Sequence, residues 1–405
     1  MIRRDFLKIT GLAGAGLAFT GASGLDSVSR AITRRSAFQG VDPLPERVFR
    51  RRARRALELM TDHGFGALFS EPGTNFEYLI GTSFGRSERL IALVLPAGGR
   101  PLIVAPEFEV ERVTQAVGTL AEVRGWAEQQ DPYQLVADLL FGLRPARIGI
   151  EPSSRYGVAR RLQLALRGWE LGDATAMFER LRIIKAEDEL NLIRRAISIT
   201  ETSIAATFAA LEPGVTDREI ARYLSEQMRE RGARGGGLVQ FGPTSALPHG
   251  DTEGRRLEYG MPVLIDAGCR VHGYTSDITR SEFFGDDPPP EYRDAFNVVF
   301  AAQSAAYEAG KPGVRCQQLD RIARRVIAQA GYGDYFTHRL GHGMGMDSHE
   351  PPYLVEGSRR RLEEGMVFTI EPGIYLPDQW GVRIEDDFLV LENSLEPLSS
   401  RVERI

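Results

Sequence analysis

The stretch HRLGHGMGMDSHEPP, residues 338–352, contains three of the six histidines of the chain. Three glycines lie among them, and so many glycines disfavour a regular helix. Gly341 and Gly343 flank His342, so the backbone on both sides of this histidine can pack closely against its surroundings. The stretch predicts a non-helical segment that presents imidazoles to a site whose other members lie elsewhere in the chain.

Two aspartates lie on neighbouring strand-like runs, MPVLIDAG at 261–268 and YTSDITRSEFF at 274–284. If these runs pair antiparallel about the midpoint between Val271 and His272, Asp266 and Asp277 stand opposite each other, with Cβ atoms about 5 Å apart. Like charges in such positions destabilise a sheet. The pair therefore indicates a counter-charge.

Two glutamates repeat this arrangement. Glu371 and Glu385 lie on the runs MVFTIEPGIY and GVRIEDDFLVL at equal distances from Asp378, and Pro377 and Gly381 mark the loop between them. The first acid of each pair follows an apolar run, where an unpaired carboxylate would be costly. Two divalent cations would balance the four negative charges.

His342 is the natural fifth ligand of such a centre. Four carboxylates and one imidazole favour Mn²⁺, Fe²⁺ or Co²⁺ over a thiolate-type zinc site. Two ions bridged by carboxylates lie about 3.5–4 Å apart, and water between them becomes a hydroxide nucleophile near neutral pH. The ligand set therefore predicts hydrolytic chemistry.

Two further histidines are candidates for substrate binding. His249 in TSALPHG and His349 in SHEPP are not needed to complete the ligand set, and both lie in loops suited to a cleft. We expect them to hold substrate and to stabilise a tetrahedral intermediate. His338, by contrast, is expected to be structural. Cys269 and Cys316 lack metal-site spacing and are expected to pack as small hydrophobic residues.

Composition limits the class of protein, the number of domains and the kinds of partner. The chain has 405 residues, 42% hydrophobic and 26% charged, which is typical of a soluble globular protein with two or three domains. A net charge of −5 gives no electrostatic case for a nucleic-acid partner. The basic run Arg50–Arg55 is expected on a solvent-exposed helix face.

Strands and helices alternate in both halves of the chain. GFGALFS, RLIALVLPA, PLIVAP and RIGIE predict strands of an α/β domain over residues 40–180. A long amphipathic helix begins after Ala186, and a capping box at TDREI opens the next helix. The second domain is predicted over residues 186–405.

The N-terminus has the pattern of an export signal. Arg3 and Arg4 precede a run of uncharged residues up to Leu25, which resembles a twin-arginine signal over residues 1–30. Cleavage is expected between Ala22 and about Arg30. The run is too short and too weakly apolar to predict stable membrane insertion, although an uncleaved anchor is the alternative. A periplasmic or secreted protein that uses the twin-arginine export machinery is expected.

The ordered motifs DAG, SDITR, GHGMG, EPGIY and RIEDDFLV resemble those of the pita-bread metallopeptidases. PHG and SHEPP look like the Xaa-Pro aminopeptidases and Xaa-Pro dipeptidases (prolidases). This resemblance implies an α/β (α+β) fold with a creatinase-like N-terminal domain and a pita-bread catalytic domain around a curved, mostly antiparallel sheet. It also implies a homodimer and a proline-containing peptide substrate.

The resemblance implies a role for each site residue. The expected cofactor is two divalent ions, usually Mn²⁺, with Co, Fe or Zn as alternatives. Glu371 would shuttle the proton of the bridging hydroxide, His249 and His349 would line the proline pocket and contact the scissile carbonyl, and Arg383 would lie on the substrate side. The implied metal ligands are Asp266, Asp277, His342, Glu371 and Glu385.

Two other functions stay open. One is a hydrolase or lyase that acts on another small C–N or osmolyte substrate in the same fold, and the other is a non-catalytic binding protein. Metal-free creatine hydrolases are disfavoured because all five ligand positions are Asp, Glu or His. The motifs do not separate a dipeptidase from an aminopeptidase.

Overall fold

In the computed structural model, which describes residues 42–143, 147–248, 250 and 254–405, the apolar runs of the first half form a six-stranded mixed sheet. The predicted export signal and His249 lie outside the described residues. The strands are β1 (Phe65–Ser70), β2 (Ala92–Pro96), β3 (Leu102–Pro106), β4 (Glu122–Trp126), β5 (Arg147–Ile150) and β6 (Glu170–Asp173). The helices are α1 (Glu46–His63), α2 (Thr74–Ile80), α3 (Val110–Val117), α4 (Pro132–Leu139), α5 (Tyr156–Ala165) and α6 (Thr175–Arg182).

The sheet has the order β4-β3-β2-β1-β5-β6, with β2 antiparallel to both its neighbours and the other pairs parallel. Side chains alternate between its two faces, so Leu68 packs toward α1, α3 and α6 while Phe69 packs toward α4 and α5. The four predicted strands are present. The edge strands β4 and β6 were not predicted because their half-exposed sequences lack an apolar run.

The second half is antiparallel in every strand pair described. Its helices are α7 (Glu187–Ala209), α8 (Asp217–Glu230), α9 (Pro290–Ala309) and α10 (Cys316–Gln329). Its strands are β7 (Arg234–Phe241), β8 (Met261–Val271), β9 (Tyr274–Thr275), β10 (Ile278–Phe284), β11 (Gly341–Gly343), β12 (Glu350–Leu354), β13 (Val367–Ile370), β14 (Gly373–Leu376), β15 (Trp380–Arg383), β16 (Asp386–Val390) and β17 (Leu395–Pro397).

These strands form three sheets. One has the order β10-β8-β7 with β9 on β8, another has the order β12-β11-β13-β16-β17, and β14 pairs with β15. The capping box predicted at the start of α8 is present, with Thr216 and Glu219 as its two members. Within the described ranges, each helix is too short or too polar to cross a membrane.

The register predicted for the aspartate hairpin is wrong by two residues. Asp266 lies opposite Thr279, and Asp277 is a diagonal neighbour on the same face rather than its direct partner. The cause is a two-residue turn at His272 and Gly273, whose φ angles are 45° and 92°. Two left-handed residues in succession match the twist of a tight hairpin, so the turn is centred one residue later than predicted.

The register predicted for the glutamate hairpin is confirmed. The ladder of β13 with β16 and the ladder of β14 with β15 are both centred on Asp378, which has a φ of 61°. In that shared register Glu371 falls opposite Glu385. The two ladders are separated at these glutamates.

Three candidate acids lie where strand pairing is interrupted. Asp277 falls between β9 and β10, Glu371 between β13 and β14, and Glu385 between β15 and β16. Asp266 instead lies inside the continuous strand β8. The interruptions bring the carboxylates to the junction of the three C-terminal sheets.

One arginine of the basic run departs from the expected exposed face. Arg52 is only 4% exposed and pairs with Glu189, with Nη2 3.2 Å from Oε1. Its guanidinium also donates to the backbone carbonyl of Tyr78 and to the hydroxyl of Tyr274. The other arginines of the run include Arg51, which pairs with Asp188 at the surface.

Candidate metal centre

The four predicted acids and His342 converge on one cavity of about 380 Å³. Three overlapping groups of possible ligand atoms lie there, each group with its atoms within 4.8 Å of one another. Every predicted metal ligand belongs to at least one of these groups. The groups are Asp266, Asp277 and Glu385; His342, Glu371 and Glu385; and Asp277, His342 and His349.

His349 lies closer to the predicted metal ligands than a role in substrate binding alone would require. Its ring centroid lies 4.0 Å from that of His342, and it offers a ligand atom to one group. The side chain is exposed, whereas His342 is buried. Its geometry is compatible with binding either an ion or the substrate.

The glycines on either side of His342 allow a very close approach of the backbone. A Cβ atom at Gly341 would lie 2.0 Å from the carbonyl oxygen of Thr369, and one at Gly343 would lie 2.2 Å from that of Pro351. Neither site can accommodate a side chain without moving a strand. The expected reason for the Gly-His-Gly motif is confirmed.

Hydrogen bonds orient three of the carboxylates. Arg383 donates from Nη2 to Asp266 Oδ2 at 2.5 Å, and Thr279 donates from Oγ1 to Glu385 Oε2 at 2.6 Å. His342 Nε2 lies 3.2 Å from Glu371 Oε1. These contacts hold oxygen atoms of the three acids in place.

The acids repel one another. Burial raises the pKa of Asp277 well above its usual range, and the nearby charges of Asp266, Asp387 and Glu371 raise it further. Burial likewise raises the pKa of Glu385, together with the charges of Asp277 and Glu371. The charge of Arg383 lowers both pKa values but does not outweigh these effects.

Glu371 differs from the other two acids. Burial works to raise its pKa, but the hydrogen bond and charge of His342 and the charges of His338 and Arg383 outweigh that effect and lower it. Glu371 is therefore ionised at neutral pH. An ionised carboxylate at this position can accept a proton.

The residues fit two divalent cations. Four carboxylates and one or two imidazoles supply a hard, oxygen-rich donor set. Two charges of +2 would balance four charges of −1 and remove the repulsion that raises the pKa of Asp277 and Glu385.

Sequence reasoning missed three residues of the site. His338 and Arg339 line the cavity, and the hydroxyl of Tyr375 lies 2.8 Å from His338 Nε2. His338 Nδ1 lies 2.8 Å from the carbonyl oxygen of Arg339 and so donates to it. The sequence signal that could have found these three residues is their proximity to the GHG and EPG motifs.

Arg383 lines the cavity, but its guanidinium is largely committed to protein atoms. Besides Asp266, it donates to the hydroxyls of Tyr375 at 2.9 Å and Thr279 at 3.1 Å. The residue is only 3% exposed. Its expected contact with substrate stays a prediction.

The loop that carries His349 is held by charges on both sides. Arg182, at the end of α6, pairs with Asp347 at 2.6 Å and also with Glu350. Lys185 pairs with Glu350 at 2.6 Å, and both of these side chains are buried. The N-terminal half of the molecule thus supports the position of His349.

Comparison with known proteins assigns this arrangement to a family. A model of metallopeptidase family M24 matches residues 191–392, and a model of the creatinase/prolidase N-terminal domain matches residues 52–184. An uncharacterized peptidase of Staphylococcus aureus is 37% identical over 331 residues, which make up 80% of this chain and 92% of that protein. The chain belongs to metallopeptidase family M24.

Solved structures of a dipeptidase and a prolidase share the fold. The dipeptidase PepE from Mycobacterium ulcerans has a TM-score of 0.85 at 36% identity, over 90% of this chain and 99% of that chain. A prolidase from Pyrococcus furiosus has a TM-score of 0.74 at 32% identity, over 86% and 100% of the two chains. The creatinase-like N-terminal domain and pita-bread domain implied by the sequence are confirmed.

Proposed function

We propose that this M24 protein hydrolyses the bond between an N-terminal residue and proline, as a dipeptidase or an aminopeptidase that uses two divalent ions. The observation that carries the proposal is the convergence of four carboxylates and His342 in one cavity. Relatives described as prolidases and as a dipeptidase support the choice of substrate. Homodimer formation and export stay predictions from the sequence.

The protein would hold the ions through its five predicted ligands. When bound, two such ions polarise a carbonyl and lower the pKa of water. Mn²⁺ is the expected metal because the donors are mostly carboxylate oxygens. The ligands are Asp266, Asp277, His342, Glu371 and Glu385.

Three side chains would carry the remaining steps. Glu371 accepts the proton of the attacking water and returns it to the prolyl nitrogen as the peptide bond breaks. His349 and His249 donate hydrogen bonds to the oxyanion of the tetrahedral intermediate. A pocket for proline is required because its tertiary amide nitrogen and fixed ring differ from those of other residues.

The experiment is to strip the purified protein of metal, add Mn²⁺, and follow alanine release from Ala-Pro, Ala-Pro-Ala and Ala-Ala. We expect manganese-dependent release from at least one proline peptide and none from Ala-Ala, and Glu371→Gln should abolish it. The exposed Glu364→Gln variant is the matched control and should keep full activity.

Cleavage of Ala-Ala at the same rate would contradict proline selection. No release from any peptide, with two ions bound per chain, would contradict the peptidase and favour another small C–N substrate. The rates for Ala-Pro and Ala-Pro-Ala separate a dipeptidase from an aminopeptidase.

A further inference from the structure

A buried carboxylate lies directly after His349 in the chain. Glu350 is the first residue of β12 and is only 5% exposed. Its Oε1 accepts from Nζ of Lys185 at 2.6 Å, and its Oε2 accepts from Arg182 and, at 3.3 Å, from the backbone N–H of Asp347. One carboxylate thus joins the loop before His349 to two cations that lie 165 and 168 positions earlier.

The loop that leads to His349 is fitted against this ion pair. A Cβ atom at Gly345 would lie 2.8 Å from Glu350 Oε1 and 3.0 Å from Lys185 Cε, so the pair fills the space that a side chain would need. On its other side, the carbonyl oxygen of Gly345 accepts from the backbone N–H of Thr275 at 2.8 Å and from its hydroxyl at 3.1 Å. The loop is therefore held between the ion pair and β9.

Both cations belong to the N-terminal side of the molecule. Arg182 ends α6 and donates to Asn75 Oδ1 at 2.9 Å. Lys185 lies in the segment between the two matched regions, residues 52–184 and 191–392, and its side chain is 1% exposed. Lys185 also donates to the carbonyl oxygen of Arg182 at 3.0 Å. The position of each cation is thus fixed independently of Glu350.

Charge at this place is not the choice that stabilises a fold most. Apolar side chains of similar volume often replace a buried ion pair without loss of stability, because desolvation of the two charges is costly. Buried charged groups nevertheless require their hydrogen bonds, since leaving one unsatisfied carries a large penalty. An ion pair beside the loop therefore favours one loop conformation over the alternatives.

We propose that Glu350, held by Lys185 and Arg182, positions the imidazole of His349 for the reaction. This inference rests on the proposed function, in which His349 donates a hydrogen bond to the oxyanion. The three are positioning residues, because they act through His349. The N-terminal side of the molecule thus contributes to the reaction through two cations.

The test is a double-mutant cycle of Lys185→Met and His349→Ala, assayed with Mn²⁺ and whichever of Ala-Pro and Ala-Pro-Ala the wild type cleaves faster. Lys185→Met leaves Arg182 to balance Glu350, so it is expected to fold. It should lower kcat/KM about 10- to 100-fold, mainly through kcat, as for other residues that orient an active-site group. In the His349→Ala background its effect should be less than about twofold, because the group to be positioned is absent.

Arg180→Met is the matched control. Arg180 also lies on α6 and pairs with Glu363 of the C-terminal half at 2.8 Å, but these side chains are 43% and 45% exposed. Its removal should leave kcat/KM unchanged. Lys185→Arg keeps the charge and should recover part of the kcat that Lys185→Met loses.

The position of His349 can also be measured without substrate. In metal-free protein labelled with ¹³C-histidine, the ring signal that disappears in His349→Ala belongs to His349. Lys185→Met should shift this signal, whereas Arg180→Met should not. Glu350→Gln keeps the shape of the side chain and is the second variant, which should shift the same signal if Lys185→Met does not fold.

A shifted His349 signal, with a loss of kcat confined to protein that has His349, supports the inference. An equal loss in both backgrounds, no loss, the same loss in Arg180→Met, or an unshifted signal overturns it. Wild-type protein that cleaves neither peptide would contradict the proposed function instead, and a shifted signal would then still support the positioning of His349.

Discussion

At the scale of single residues, two adjacent arginines on α1 illustrate how burial changes the energy of an ion pair. Arg51 and Asp188 have side chains 49% and 34% exposed, at a distance of 3.4 Å. Arg52 and Glu189 have side chains 4% exposed, at 3.2 Å. Water screens the first pair, while the second is shielded and hydrogen-bonded to its surroundings.

Removing each arginine should therefore have very different effects. Arg52→Met leaves Glu189 buried without its cation and is expected to lower the free energy of unfolding by about 3–5 kcal/mol. Arg51→Met, the matched control, is expected to lower it by about 0–1 kcal/mol. Urea denaturation of the two variants provides the comparison, and equal losses would contradict the interpretation.

Single residues could be predicted where the signal is local in sequence, and not where it depends on a distant partner. Asp266 and Glu371 were accessible because an acid directly after an apolar run is conspicuous in the sequence, and the other three predicted ligands were accessible from their spacing and motifs. The partner of Arg52 is 137 positions away, so a local helical pattern could only predict an exposed face. His338 and Arg339 were missed because their places in the cavity depend on the packing of β11 and β12.

At the scale of elements, the three-residue strand β11 depends on having no side chain at two of its positions. Gly341 and Gly343 press against the backbone of β13 and of residue Pro351, and His342 is held between them. The strand is thus fitted to its neighbours by close backbone contact rather than by interdigitating side chains.

Gly341→Ala should displace β11 and with it His342. A Cβ atom 2.0 Å from the carbonyl oxygen of Thr369 cannot be tolerated. Metal affinity is expected to fall about 10- to 100-fold, as for other changes that reorient a ligand. Calorimetric titration with Mn²⁺ measures this.

The control for that variant is Gly157→Ala in α5, where the added methyl group meets no atom within 4 Å. It should leave metal affinity unchanged and stabilise the fold by up to about 1 kcal/mol. Unchanged Mn²⁺ binding in Gly341→Ala would show that β11 tolerates movement and that the close approach has no bearing on the site.

Element register was predictable to different degrees. The glutamate hairpin is symmetric about Asp378 in both its ladders, so the equal spacing of Glu371 and Glu385 was sufficient. In the aspartate hairpin the position of the turn was decided by His272, which adopts a left-handed conformation that is uncommon outside glycine. The sequence pattern alone did not indicate that choice.

At the scale of the whole molecule, the buried acids of the candidate metal centre couple stability to pH. The raised pKa values of Asp277 and Glu385 mean that their contribution to stability is present below their ordinary pKa and is lost as pH rises through the raised value. Glu371 has a lowered pKa and acts in the opposite sense, but only as pH falls below its usual value of 4.5.

Metal-free protein should therefore melt at lower temperature as the pH rises from about 4 toward neutrality. Protein with excess Mn²⁺ should show the opposite trend, because protons compete with the ion for the same ligands. Melting curves in EDTA and in Mn²⁺ test this, and Asp277→Asn in EDTA should flatten the pH dependence. Parallel pH profiles with and without metal would contradict the coupling.

Fold class and domain order were predictable at this scale because five motifs occur in the order of a known family, as the match to residues 191–392 confirms. The contacts between the two halves were not predictable. Arg182 and Lys185 lie next to the boundary of the two predicted domains, yet their partners Asp347 and Glu350 flank His349 far along the chain. Such pairings follow from tertiary packing alone.

The divided glutamate hairpin has a consequence for how related chains can vary. β13 and β16 hold Glu371 opposite Glu385 from one side, so the acid pair does not depend on the tip near Asp378. The tip can be lengthened or shortened without moving either carboxylate. The ladder of β13 with β16 can thus keep the acid pair constant while the ladder of β14 with β15, which carries Arg383 in the cavity wall, varies.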